Sequence, residues 1–366
     1  MPRFPLSDHC DGTRFFTPGA PPLPHLGKVL RWRFTRRVPD WQPVSITPRD
    51  APPAPPAKSP AVTATWVNHS TFLLQFPGLT LLTDPVFSQR IGLFGRIGPR
   101  RVHAPGLAFE SLPRIDAILL SHDHYDHCDL PTLRRLARAH DPLIIAPLGF
   151  HKLLRRAALT RIVELDWWQT HTLSLTLSSS SAPPPFRPSA ISDPATSAPS
   201  LSYALSSLPS SVSASGTSAS SGATITLTPA QHWSNRLTGP RCGRLWGGFM
   251  INTPARRLFF AGDTGYHPTI FRDIATRLGP PDLALLPIGA YEPRWFMSDQ
   301  HVNPAEAVQI HRDLGSRLSL GMHWGTFQLT DEPRLAPPAD LRKALSATGL
   351  PEDLFRVMEP GQSLTV

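Results

Sequence analysis

The segment Ser121-His122-Asp123-His124-Tyr125-Asp126-His127 sets the tightest limit on what this chain can fold into. It places three imidazoles and two carboxylates in seven residues. The apolar run before it, Ile115-Asp116-Ala117-Ile118-Leu119-Leu120, reads as a buried strand. A helix follows, with Asp129 placed to cap it, Pro131 in its first turn, and Leu133 and Leu136 on one face. The segment is therefore a loop at the C-terminal end of a strand, where a rigid scaffold mounts catalytic groups. A merely polar surface loop has no reason to pack these residue types so densely. Neutral imidazole and carboxylate bind Zn²⁺ at about 2.0–2.2 Å. Three His and an Asp in one turn cannot all converge on one ion. The pattern suits two ions roughly 3.5–4 Å apart, with His122 and His124 facing one and Asp126 and His127 the other.

Two ions need further ligands, and other strand ends should supply them. His232, Asp263 and His323 each close an apolar strand beside small or Gly residues that allow close backbone approach. The motif resembles the H-x-H-x-D-H signature of the metallo-β-lactamase superfamily, and the later His, Asp and His follow that superfamily's ligand order. The resemblance implies an α/β fold, the αββα sandwich, with two mixed β-sheets between helix layers. It also implies two zinc ions per chain. One is held by His122, His124 and His232, the other by Asp126, His127 and His323, and Asp263 bridges both. A hydroxide between the ions is then the nucleophile, since metal lowers the pKa of bound water toward about 7. Asp123 and Asp84 are candidates for orienting ligand imidazoles through their second nitrogens. Cys128 adjoins His127 but is left out of the ligand set.

The rest of the chain frames this site. Residues 1–60 are rich in Pro and Arg and read as an arm laid over the domain, with Trp32 and Trp41 partly buried. The hydrolase domain spans 61–366. It is interrupted at 174–222 by a Ser/Pro/Ala-rich stretch that cannot bury enough apolar area to order itself. A meander of strands opens the domain between Val62 and Pro85, with His69 on its first turn. Strands 143–146 and 162–165 follow the metal loop. After the insertion come a strand at 223–228 and a hairpin pair at 245–251 and 257–261. Buried strands follow at 283–288 and 318–322. Helices are predicted at 150–158, 268–278, 304–314 and 340–348, and Asn303 with Glu306 forms a capping box on the third.

Charge and cysteines narrow the setting. The chain carries 36 Lys and Arg against 27 Asp and Glu, a formal net charge of +9. The basic residues are dispersed in pairs such as Arg36-Arg37 and Arg100-Arg101. They favour an anionic partner, including an anionic membrane surface, but form no phosphate-binding track, so no nucleic acid is expected. Three cysteines do not make a disulfide framework. A reducing compartment is expected: cytoplasmic, with peripheral contact on intracellular membranes. No apolar run reaches the ~20 residues of a membrane span.

A closer resemblance lies in the flanking segments. Glu164-Leu165-Asp166-Trp167-Trp168, Thr228-Pro229-Ala230-Gln231-His232-Trp233, Ala261-Gly262-Asp263-Thr264-Gly265-Tyr266, Tyr291-Glu292-Pro293-Arg294-Trp295-Phe296-Met297, Gln300-His301-Val302-Asn303-Pro304 and Met322-His323-Trp324-Gly325-Thr326 are similar to the N-acyl-phosphatidylethanolamine-hydrolysing phospholipase D family. The similarity runs from about Trp66 to the C-terminus, apart from the insertion. It implies a zinc phosphodiesterase with a phospholipid substrate, releasing an N-acylethanolamine and phosphatidic acid, and it implies a homodimer. Asp263 and His301 are the catalytic candidates, His301 through phosphate binding or proton transfer. Asn68 stands before His69 where the family carries Gly, and Asn also tolerates left-handed backbone. Two other readings remain open on sequence. One keeps the site for another substrate: a small phosphodiester, a nucleic acid or a lactone. The other is a non-catalytic metal-binding scaffold, which the full set of seven ligand positions disfavours.

Overall fold

Two stretches of chain follow the same plan: antiparallel strands first, then parallel strands reached through crossovers. The computed structural model describes residues 3–53, 61–174, 222–237, 239–254 and 256–366. Helix α1 (Leu26–Thr35) precedes the sheets. The first stretch is a meander of β1 (Thr63–Asn68), β2 (Thr71–Phe76) and β3 (Leu79–Thr83), then parallel β4 (Ala117–Leu119), β5 (Leu143–Pro147) and β6 (Ile162–Leu165). Helices α2 (Leu130–His140) and α3 (His151–Arg156) make the crossovers between β4, β5 and β6. The second stretch starts with antiparallel β7 (Thr170–Ser174), β8 (Gly222–Thr228), β9 (Gly248–Asn252) and β10 (Arg257–Phe260). Helix α4 (Ile270–Leu278) leads to parallel β11 (Leu283–Pro287). The short α5 (Arg294–Met297) and α6 (Pro304–Leu314) lead to β12 (Ser319–Met322), and α7 (Ala336–Thr348) leads to β13 (Phe355–Val357). The last strand, β14 (Ser363–Thr365), returns to pair with β1. The two seven-stranded sheets have the orders β14-β1-β2-β3-β4-β5-β6 and β13-β12-β11-β10-β9-β8-β7.

Strand alternation separates the layers. Successive side chains of a strand point to opposite faces. Ala117, Leu119, Ile145 and Leu74 join one buried cluster with Ile225, Leu227, Phe249, Phe260, Leu285 and Leu320 of the other sheet. Their neighbours Ile118, Ile144, Ala146 and Leu73 face the opposite way and pack with Leu133 and Leu136 of α2 and Leu153 and Leu154 of α3. Sheet lies on sheet, with helices outside, as the sandwich expectation required. The αββα fold is thus built by alternation in a handful of parallel strands.

Local expectations held unevenly. Helix α6 has the bounds read from sequence, and its capping box forms: Asn303 Oδ1 accepts from Glu306 N, and Glu306 accepts from Asn303 N, both at 2.9 Å. Asp129 occupies the cap position of α2, but its carboxylate makes no capping bond. It accepts instead from Ser88 N, Ser88 Oγ and Thr132 Oγ1. Helix α7 starts four residues earlier than expected, at Ala336. Trp32 and Trp41 are half-buried; Trp32 stacks on Phe296, and Trp41 Nε1 donates to Glu332 O. The strands flanking the 174–222 stretch do pair, Ser174 opposite Gly222. The stretch itself, at 175–221, lies outside the described residues, as do 54–60 of the arm.

The start of the chain is clasped to the body. Phe15 is buried and donates its backbone N–H to Cys242 O. His9 stacks on Trp167 at 4.4 Å and lies between Asp166 (2.8 Å) and Asp8 (2.6 Å). Burial alone would lower the His9 pKa, but the hydrogen bonds to Asp166 and Asp8 outweigh it and raise it. Burial raises Asp166, and the His9 and Trp167 hydrogen bonds reverse this, leaving it lowered. A raised imidazole stabilises fully below its unfolded value of about 6.5, and that contribution fades as pH climbs through the folded pKa. A lowered carboxylate stabilises above about 3.9 and loses its contribution as pH falls. The clasp is therefore strongest between those limits. His9→Gln is expected to cost about 1 kcal/mol near pH 5.5, and less at pH 8.5. Melting temperatures of the two proteins across that range check it; an equal deficit at both pH values would count against the ion pair.

Candidate metal centre

Every predicted ligand leaves the C-terminal end of a strand. His122, His124, Asp126 and His127 follow β4, His232 follows β8, Asp263 follows β10 and His323 follows β12. The ends meet because Gly262 lets them. Its φ is +62°, and a Cβ there would stand 2.6 Å from the Ser121 Cβ. Only glycine meets both demands.

The donors gather in two groups. His122 Nε2 and His232 Nε2 stand 2.9 and 3.3 Å from His124 Nδ1. Asp126 Oδ2 lies 3.4 Å from His127 Nε2 and 3.5 Å from His323 Nε2. Asp263 Oδ2 reaches both groups: 3.1 Å to His323 Nε2, 3.2 Å to His127 Nε2, 3.8 Å to His122 Nε2 and 3.9 Å to His232 Nε2. Donors bonded at ~2.0–2.1 Å around a tetrahedral ion sit roughly 3.3–3.4 Å apart, and the spacings within each group are of that size. Three second nitrogens are already occupied. His122 Nδ1 meets Ser121 Oγ at 2.9 Å, His127 Nδ1 donates to Asp84 Oδ2 at 2.7 Å, and His232 Nδ1 donates to Gln300 O at 2.9 Å. A proton on each Nδ1 leaves the Nε2 lone pair pointing inward, as ligation needs. His127 Nε2, His323 Nε2 and Asp263 Oδ1 are buried without a hydrogen bond. Buried polar atoms need a partner, and a cation between them is one. The residues fit a metal cofactor.

Electrostatics agrees with that fit. Burial pushes His122 and His232 well below the usual imidazole range, with His127 the next contributor at His122; at His232 the Asp263 charge opposes burial without overcoming it. Burial also lowers His124. In the second group two carboxylates outweigh burial. His127 is raised well above its usual value and His323 to about 9, both chiefly by Asp263. Burial would raise Asp126 and Asp263, yet the imidazole charges, His127 foremost, hold both well below the carboxylate range. Two ionised carboxylates among buried imidazoles make a site that demands positive charge, from protons or from metal.

Residues around the ligands were legible only in part. His69 comes fully into the centre: Nε2 lies 3.0 Å from Asp126 Oδ2, and burial draws its pKa down to about 3. It belongs to the same donor group as Asp126, His127 and His323. A lone His on a turn gave no spacing signal for this. His69, at φ +46°, carries the left-handed backbone of that turn, whereas Asn68 is the last residue of β1. The left-handed role expected of Asn68 therefore falls to its neighbour. Asp84 does orient an imidazole, that of His127. Asp123 orients none: its carboxylate accepts from Arg244 Nη1 at 2.7 Å and Asn235 N at 2.8 Å. Arg236 Nη1 adds bonds to the Asp123 and Cys128 carbonyls, both at 2.9 Å. These arginines lie over a hundred positions away, so no local pattern announces them. The Cys128 thiol is pushed up to about 12 by burial and joins neither donor group. His301 does not cap α6; its Nδ1 stands 3.8 Å from Asp263 Oδ2.

The family described as a beta-lactamase superfamily domain matches residues 80–207 and 192–324. An N-acyl-phosphatidylethanolamine-hydrolyzing phospholipase D from Caenorhabditis elegans is 33% identical over 293 residues, covering 78% of this chain and 70% of its own length. The mitochondrial protein of the same name from Saccharomyces cerevisiae is 32% identical over 279 residues, 76% of this chain and 50% of the yeast protein. Among solved structures, a metallo hydrolase of the archaeon Ignicoccus hospitalis superposes with a TM-score of 0.52 at 18% identity, covering 84% of this chain and 98% of its own, a likeness of fold. With two donor groups at the strand ends of this sandwich and relatives at that identity over most of its length, the chain is a metal-dependent hydrolase and belongs to the N-acyl-phosphatidylethanolamine-hydrolysing phospholipase D family of the metallo-β-lactamase superfamily.

Proposed function

We propose that this chain is a two-zinc phosphodiesterase that hydrolyses N-acyl-phosphatidylethanolamine to an N-acylethanolamine and phosphatidic acid. The observation that carries the reading is Asp263. One of its oxygens lies 3.1–3.9 Å from imidazoles of both donor groups, the placement of a bridging carboxylate. The names of the worm and yeast relatives supply the substrate class. His122, His124 and His232 would hold one ion, Asp126, His127 and His323 the other, with Asp263 shared. Bound there, a metal pair would acidify water and withdraw charge from a phosphoryl oxygen.

The chain's own groups then position the substrate. His301 is half-buried beside the donors. Burial lowers its pKa to about 4, so its imidazole is neutral near pH 7. Its backbone is fixed at both ends: N–H donates to Met297 O at 2.9 Å, and C=O accepts from Arg294 Nη1 at 2.8 Å. Arg294 is in turn held by both Glu306 oxygens at 2.7 and 2.8 Å. A neutral imidazole so placed would donate a hydrogen bond to a phosphate oxygen; by accepting at one nitrogen the proton that the attacking water gives up, it would become the imidazolium that protonates the departing ethanolamide oxygen. Tyr125, inside the metal loop, packs with Val86, Ile91 and Phe327 beneath the Arg236 guanidinium, 4.0 Å from its ring, which steadies the loop.

Product analysis tests this directly. Zinc-loaded protein and mixed micelles of N-acyl-phosphatidylethanolamine are expected to yield equimolar N-acylethanolamine and phosphatidate by mass spectrometry. Chelation should abolish the reaction and zinc restore it. No turnover from protein carrying two metals per chain would reject the lipid substrate and leave the hydrolase.

A further inference from the structure

Helix α1 shows its apolar residues to solvent. Leu26, Leu30 and Phe34 recur at four-residue spacing, with Val38 continuing the row beyond the helix, and they are 72, 45, 83 and 47% exposed. A second row, offset by two, ties the helix to the body. Lys28 Nζ pairs with Asp299 Oδ2 at 3.5 Å, the Trp32 ring stacks on Phe296 at 4.9 Å, and Arg36 Nε donates to Asp331 Oδ1 at 2.9 Å. At about 100° per residue the two rows lie roughly 200° apart around the axis. The helix is thus anchored by one face and turns the apolar one outward. Arg31 and Arg33 flank that face, and Arg37 follows it; all three are exposed. Arg31 lies over the ring of Trp295, itself 40% exposed, at 4.8 Å. No Asp or Glu occurs between Asp11 and Asp40.

We propose that α1 and Trp295 form a docking face that seats the enzyme on an anionic phospholipid surface. An apolar row flanked by basic residues, with an indole at its edge, matches what an interfacial helix needs: buried apolar area plus attraction to anionic headgroups. The choice of partner rests on the phospholipid reading. N-acylation removes the cationic amine of ethanolamine, so the substrate headgroup is anionic, as is phosphatidate. Position adds to the charge match. Helix α5 carries Trp295 at the edge of the docking face and Phe296 beneath α1, and its Arg294 holds the His301 carbonyl. Asp299, the partner of Lys28, accepts at its carbonyl from Gln231 Nε2, the residue before His232. The docked face and the metal centre share one short stretch of chain. A second copy of this chain is a poorer occupant, because a two-fold contact would bring Arg31, Arg33 and Arg37 against their own copies.

The test is cosedimentation of the full chain with vesicles of phosphatidylcholine alone or with phosphatidylglycerol, an anionic lipid that is not the substrate. Binding is expected only to the anionic vesicles and should weaken with salt. Leu30→Ser/Phe34→Ser and Arg31→Glu/Arg33→Glu should each weaken it by about ten-fold or more. Both variants should lose turnover on vesicular substrate in proportion, and keep the wild-type rate on detergent-dispersed substrate. Absent binding by the wild type, or equal binding by the variants, overturns the proposal. So does an oligomeric state that shifts in the variants while vesicle binding stays unchanged. Vesicle binding without turnover of any lipid would sink the substrate reading instead, and leave the docking face standing.

Discussion

Asp263→Asn is expected to abolish hydrolysis and to leave the fold in place. Asn matches Asp in shape, so the packing around β10 and Gly262 is retained. What disappears is the charge that lies 3.1 and 3.2 Å from His323 and His127 and within 3.9 Å of His122 and His232. At that one position an amide places either a weaker donor oxygen or an NH₂, and neither replaces the carboxylate oxygen that faces both groups. Turnover is expected to fall by about 10³-fold or more, as when a member of a concerted catalytic set is removed. Metal content per chain should fall as well. Circular dichroism should match the wild type. Turnover, metal analysis and the spectrum together check the assignment; near-normal turnover would sink the bridging role.

Asp123→Ala should be among the most destabilising substitutions in the chain, although Asp123 holds no ligand nitrogen. Its side chain is fully buried and its partner Arg244 is 6% exposed. Pairs of this kind add little net stability when complete, but removing one member of a buried pair costs about 3–5 kcal/mol. The backbone N–H of Asn235 loses its acceptor too. Domains are stable by only about 5–15 kcal/mol, so the urea midpoint should drop markedly. Asp123→Asn keeps an acceptor for Asn235 and should fall between the two. The residue sits between His122 and His124, so metal content per chain should fall as the loop loses its anchor. A loss under 1 kcal/mol would mean that the pair does not hold the loop.

The parts of this protein that local chemistry dictates were readable from its residues. The strand–loop–helix around His122 follows from an apolar run, a dense polar turn and Pro131. The start of α6 follows from Asn303 and Glu306. All seven expected ligands fall in loops at strand ends: the four of the 121–127 loop follow from the apolar run before them, and His232, Asp263 and His323 from the apolar strands they close. What escaped was non-local or too short to show a pattern. Strand β7 is an edge strand whose Thr170, Thr172 and Ser174 face solvent, so it reads as loop. Strands β13 and β14 have three residues each, too few for alternation to show. Asp123 looked like a support for an imidazole, because its partners Asn235 and Arg244 are 112 and 121 positions away. Likewise, Asp129 looked like a cap until Ser88, 41 positions earlier, claimed its oxygens.

The donors do not all hang from one sheet. His122, His124, Asp126 and His127 extend from the sheet that β4 belongs to, and His232, Asp263 and His323 from the sheet of β8, β10 and β12. A cofactor gripped from both sides works as a rivet through the sandwich, with the interior as the seam it closes. Cohesion of the seam and retention of metal then draw on the same free energy, and such couplings are reciprocal. Whatever loosens the contact between the sheets, however far from the histidines, makes the metal easier to lose. Whatever withdraws the metal loosens that contact by the same amount.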